Sequence, residues 1–197
     1  MKKILLTLFL STLLLFSFAI EPHIVYPQVD TKESSVKWIG SKVASSHEGY
    51  VKILKGSLAI NHGTLVGGQF AIDMNSISCT DIESEKYNKM LVDHLKDDDF
   101  FNTKAHPIAT IKITSVKQSD KNLYRIYSDL TIKGITHPIS FDANVDINGE
   151  IFLAKAKISI DRTKWDIKHG SGNFFKNLGD KMILDEVKFD ISLSSVK

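Results

Sequence analysis

From Val187 to Leu193 the chain alternates apolar and polar residues almost strictly: Val187, Phe189, Ile191 and Leu193 are separated by Lys188, Asp190 and Ser192. Phe152, Ala154, Ala156, Ile158 and Ile160 repeat the pattern, as do Ile139, Phe141, Ala143, Val145 and Ile147. A period of two sends every apolar side chain to one face of a strand. Strands over Val36–Val43, Tyr50–Ile60, Leu65–Met74, Ile108–Val116, Leu123–Ile132, Ile135–Ile147, Ile151–Ile160 and Glu186–Val196 make eight in all. So many half-apolar strands must close their greasy face inside a sandwich or a barrel. The joints are short turns, Asn61-His62-Gly63 and Asn148-Gly149 among them, so neighbouring strands run antiparallel. Gly56 reads as a bulge or bend, and Val66, Gly68, Phe70, Ile72 and Met74 as one face of their strand.

One helix interrupts the strands, expected over Thr80–Leu95. Thr80-x-x-Glu83 has the form of a capping box, and Tyr87, Met90, Leu91, His94 and Leu95 form an apolar stripe at helical spacing. Residues Lys164–Asp180 read as a long loop, with Trp165, Phe174 and Phe175 as a mobile rim.

Lys2 and Lys3, the apolar run Ile4–Phe18, and small residues at Ser17 and Ala19 have the order of a cleavable secretory signal, residues 1–19. The run is short for a membrane span, which needs about 20 apolar residues, so no transmembrane segment is expected after cleavage. Residues 20–197 then form one domain, periplasmic or secreted, with 23 basic against 23 acidic residues. No basic stripe remains for nucleic acid. The lone Cys79 cannot form an internal disulfide and reads as a small, partly buried residue.

Catalytic signatures are missing: there is no G-x-S-x-G, no Walker loop, no G-x-G-x-x-G and no H-E-x-x-H. The seven histidines have no local metal-ligand spacing, so no metal site and no required cofactor is expected; His94 and His106 are the distant pair that could meet across the fold. Asp97-Asp98-Asp99 lacks the spacing of a calcium loop and reads as a solvated helix end. Arg162, one of two arginines, reads either as a salt bridge pinning the long loop or as a ligand-headgroup contact. Eight strands can close round a filled interior or leave room for one small ligand. Gly68, Ala143, Ala154 and Ala156 read as residues that make such room.

A set of motifs then lines up with a known family. Trp38-Ile39-Gly40-Ser41-Lys42, His47-Glu48-Gly49 and Gly67-Gly68-Gln69-Phe70-Ala71-Ile72-Asp73-Met74-Asn75-Ser76-Ile77 come first. Leu91-x-x-His94-Leu95-Lys96-x-x-Asp99-Phe100-Phe101, Pro107-x-Ala109-Thr110-Ile111, Leu130 to Ile139, and Asp161-Arg162-Thr163-x-Trp165 follow in order. Together they resemble the YceI-like family of exported lipocalin-like proteins. His106 stands where a Tyr is usual, and Asp166 where a Gly is common.

The resemblance implies an all-β fold: an extended eight-stranded antiparallel lipocalin-like β-barrel with one short α-helix. It also implies an interior pocket for a polyisoprenoid chain, such as a polyprenyl quinone, or another long-chain amphiphile, with no catalytic residues. The residues expected to line it are Trp38, Phe70, Ile72, Ile111, Ile113, Phe141, Val145, Phe189 and Ile191, with Leu91, Leu95, Phe100, Phe101 and Trp165 as cover and rim. Arg162 and His94 are the candidate headgroup contacts, and a homodimer through a strand edge or a loop such as Phe174-Phe175 is the candidate assembly. Two competing readings are an enzyme on a small lipid-like substrate, built on His94, His106 and Arg162, and a solid-cored exported protein whose surface binds another protein.

Overall fold

The computed structural model describes residues 23–196; the expected signal segment lies outside them. The strands are β1 (Ile24–Val25), β2 (Ser35–Lys42), β3 (Ser46–Asn61), β4 (Thr64–Asp73), β5 (Ile108–Gln118), β6 (Leu123–Ile132), β7 (Ile135–Asn148), β8 (Ile151–Asp161) and β9 (Ile183–Ser194). The helix α1 covers Glu85–Lys96. Strands β2 to β9 follow one another round a closed antiparallel barrel, in the order β3-β2-β9-β8-β7-β6-β5-β4 with β4 returning to β3. The eight expected strands are these eight. The ninth, β1, is a short addition: Ile24 and Val25 pair with Asn61 and Ile60, Gln28 bridges Ser57, and Val29 bridges Ser195. The stretch ahead of β2 is thus stitched along the barrel, and Val29 is buried in its core.

The tight turns use the residues they need. His62 and Gly63, and Lys133 and Gly134, all have positive φ, which two-residue hairpins of this hand require. The bulges fall elsewhere than expected. Register shifts between Ile53 and Lys55, not at Gly56. Gly56 instead faces Phe70 across the ladder, where a Cβ would stand 2.4 Å from the phenyl ring. A second shift leaves Val66 unpaired between Leu65 and Gly67, so Leu65 is buried while Val66 points to solvent; Val66 does not share the inner face of Gly68, Phe70 and Ile72.

Helix α1 begins five residues after its expected start. Thr80 donates both its N–H and its hydroxyl proton to the Glu48 carbonyl (2.9 and 3.3 Å), so the expected capping box does not form. The buried side of the helix is turned as well. Leu91, Val92 and Leu95 pack against the barrel, while Tyr87 and Met90 are 60% and 58% exposed.

The interior divides into two clusters. One, at the end bearing the Asn61–Thr64 and Asn148–Ile151 turns, is filled by Leu58, Ile60, Leu65, Tyr124, Ile126, Val145 and Phe152. The other, at the helix end, includes Trp38, Met74, Ile77, Phe100, Ile132, Ile158, Ile160 and Ile167. The β7–β8 ladder holds from Ala143–Ala156 to Asn148–Ile151 and then the two strands part, leaving an outer groove that reaches Phe141, Ala156 and Ile191.

A hydrocarbon cavity under the helix

The helix end of the barrel is hollow. A cavity of about 200 Å³ lies there, with an almost wholly hydrocarbon wall. Inward positions of every barrel strand build it: Val36 and Trp38 from β2, Val51 from β3, Ile72 from β4, Ala109 and Ile111 from β5, Leu130 and Ile132 from β6, Ile139 from β7, Ile158 and Ile160 from β8, and Val187, Phe189 and Ile191 from β9. Leu91 and Leu95 of α1, with Phe100 and Phe101 just beyond it, form the cover. The segment after β4 closes one side. It passes so near Gly49 that a Cβ there would stand 1.8 Å from the Ser78 carbonyl oxygen, and the Trp38 indole N–H donates to that same oxygen (3.1 Å). Glycine at position 49 and tryptophan at 38 together let the chain lie flat against the wall.

Polar groups sit at the rim. His47 Nδ1 is 2.8 Å from Asp81 Oδ2, and Asp81 Oδ1 accepts from the Glu48 N–H (2.9 Å) and the Cys79 thiol (3.2 Å). Partial burial alone would raise the Asp81 carboxyl, but the Glu48 N–H, His47 and Cys79 together hold it down to about 2. Burial, then the hydrogen bond to Asp81, push the buried Cys79 thiol up from its ordinary value, so it is no ready nucleophile.

Arg162 touches the cavity and is 2% exposed. Its Nε donates to the Leu184 carbonyl (3.1 Å), its Nη1 to Ile167 (2.7 Å), and its Nη2 to Ile183 (3.2 Å) and to Asp185 Oδ1 (3.3 Å). Four of the five guanidinium N–H groups are thereby committed to holding the loop against β9. Burial lowers the pKa from its ordinary value, and the Asp185 and Asp161 charges oppose that shift.

Of the residues expected to line the pocket, the structure brings together Trp38, Ile72, Leu91, Leu95, Phe100, Phe101, Ile111, Phe189 and Ile191. Phe70, Ile113 and Val145 lie in or against the filled cluster, and Phe141 packs between the two clusters and faces the outer groove. Trp165 is 1% exposed, not a mobile rim; its indole N–H donates to the Leu130 carbonyl (3.1 Å) and its ring meets His137 edge-on. Phe174 and Phe175 are half exposed. His94 turns towards Asp99 and His169, while His106 lies against the Gly134 turn, so those two histidines do not meet. Ile139, Ile158, Ile160 and Val187 were not singled out as lining, although the alternation already pointed them inward. What it lacks is height along the barrel axis.

A profile of the YceI-like domain matches residues 28–195. The chain belongs to the YceI-like family. Over 79 residues this YceI-like chain is 34% identical to a UPF0312 protein of Pectobacterium atrosepticum, a stretch that covers 40% of the chain and 37% of that relative. Over 57 residues it is 40% identical to the protein YceI of Escherichia coli, 29% of each chain. The chain thus spans only 29–37% of the length of these curated relatives. The fold is close to BcnA of Burkholderia cenocepacia, with a TM-score of 0.70 at 23% identity over 85% of this chain and 99% of that one. It also resembles a polyisoprenoid binding domain from Saccharophagus degradans, with a TM-score of 0.62 at 16% identity over 86% and 98%. At these identities the likeness is one of fold. Among the described residues no helix is long and apolar enough to cross a membrane.

Proposed function

We propose that this YceI-like protein is a periplasmic or secreted binding protein that carries a long-chain amphiphile, a polyisoprenoid such as a polyprenyl quinone being the best fit, with its tail in the cavity under α1. The observation that carries the reading is the cavity wall, aliphatic and aromatic on all sides with polar groups only at its rim. Each buried CH₂ contributes about 0.8 kcal/mol before ordering costs, so a tail needs few polar contacts to bind. The polyisoprenoid binding domain from Saccharophagus degradans, which shares the fold, supports the same ligand class. The signal-like N-terminal run supports an exported setting. The buried arginine in the cavity wall is committed to backbone carbonyls and Asp185, which supports a binding role over turnover.

The volume adds a condition. About 200 Å³ is below the roughly 300–1,000 Å³ of ordinary small-molecule pockets, so a long tail must lift the cover formed by Leu91, Leu95, Phe100 and Phe101. Protein purified from its native compartment is expected to fly in gentle mass spectrometry with one lipid-sized adduct, and organic extraction is expected to release it. Empty protein that also fails to take up added quinone or fatty amphiphile would overturn the proposal.

A further inference from the structure

At the edge of the cover three side chains from separate parts of the chain converge. His94 comes from the last turn of α1, Asp99 from the turn that follows, and His169 from the loop before β9. Asp99 Oδ2 lies 3.0 Å from His94 Nε2 and 2.7 Å from His169 Nδ1. The two imidazoles stand edge to face with centroids 4.7 Å apart, and the three donor atoms all fall within 4.8 Å of one another. Among the described residues this is the one place where three such groups gather. The side chains are about 40% exposed, so their hydrogen bonds compete with water and contribute little stability by themselves.

We propose that His94, Asp99 and His169 form a binding site for a divalent transition-metal ion beside Phe100 of the cavity cover. Bonds of about 2.0–2.2 Å to imidazole nitrogen and carboxylate oxygen place neighbouring donors roughly 3 Å apart. Two of the separations already meet that, and the third is no more than 4.8 Å. Two imidazoles with one carboxylate select zinc, cobalt, nickel or copper over calcium and magnesium, which take sets of oxygen ligands. Three protein ligands leave at least one position for water or a bound molecule. The ion would tie α1 to the loop carrying Ile167, and Phe100, next to Asp99, lines the cavity beneath. The metal site stands on its own geometry and does not depend on the lipid reading.

The test is calorimetric titration of the untagged mature chain with Zn²⁺, paired with the visible spectrum of the Co²⁺ form. Binding of one ion per chain is expected, with Co²⁺ bands of nitrogen and oxygen ligation. His169→Ala and Asp99→Asn are each expected to weaken Zn²⁺ at least about tenfold while circular dichroism stays unchanged. Two variants at different points of the triad keep the test open should one of them misfold. His23→Ala with His62→Ala, whose rings form the other close histidine pair, is expected to leave binding intact. Absence of saturable binding, or an affinity that survives His169→Ala and Asp99→Asn, or one lost only with His23 and His62, would overturn the assignment.

Discussion

Arg162 decides how much of the rim is rigid. Its guanidinium collects the Ile167 carbonyl five residues on, and two backbone carbonyls and one carboxylate 21–23 residues on. Arg162→Ala leaves those acceptors unpaired and Asp185 without its partner, a loss of about 3 kcal/mol or more. For a chain of this length that is a fall in Tm of roughly 6–12 °C. Arg162→Lys keeps the charge but not the planar fork, and a smaller fall is expected. Bound lipid should decline only in step with Tm in both variants, measured by thermal denaturation beside lipid content. A full Tm with lost lipid would make Arg162 a ligand contact instead of a pin. The sequence left both roles open because Asp185 and the Ile183 and Leu184 carbonyls lie more than twenty residues downstream, where no local spacing reveals them. Trp165 is a similar case: an aromatic in a loop reads as mobile until its partner, the Leu130 carbonyl on another strand, is known.

At the scale of elements all eight barrel strands were legible, six of them to within two residues at each end, while β3 starts four residues and β9 three residues before the expected positions, and the helix start is five residues off. Strands announce themselves by a period that local sequence carries whole. The helix start was misplaced because Thr80 is drawn into pairing with Glu48 on β3, a contact 32 residues away that outcompetes a local cap. The stripe was misjudged because Tyr87 and Met90 are apolar by type yet lie on the side away from the barrel. Replacing either with Ala should change stability by no more than about 0.5 kcal/mol, as at ordinary surface sites. Leu95→Ala is different. It removes part of the cover and should cost about 1–2 kcal/mol, short of the roughly 2–5 kcal/mol of a fully buried leucine, and should speed release of a bound fluorescent fatty probe. Equal release rates in Leu95→Ala and Tyr87→Ala would mean that α1 does not cover the cavity.

The whole molecule is a barrel filled at one end and hollow at the other, and the alternation is the same in both. Phe70 and Ile113 point inward just as Ile72 and Ile111 do, yet only the latter pair meets the cavity. Small residues misled for a physical reason. Ala143 and Ala154 sit in the filled cluster with Tyr124 and Phe152, and a Cβ on Gly68 would stand 3.0 Å from Leu58 Cδ2. They admit large neighbours and leave no void, since interiors pack to nearly crystalline density. Which end stays empty follows from where the large side chains meet across the barrel, a property of register and tilt. The two ends therefore make opposite predictions. Phe152→Ala should cost about 3–5 kcal/mol while leaving lipid uptake per folded molecule unchanged. Ile111→Trp should do the reverse: the indole enters existing space, so Tm stays near that of the unaltered protein, and uptake of quinone or fatty probe falls at least about tenfold, the 1.4 kcal/mol that loss of two buried methylenes would already exceed. Uptake that survives Ile111→Trp but vanishes in folded Phe152→Ala would place the tail at the wrong end of the barrel.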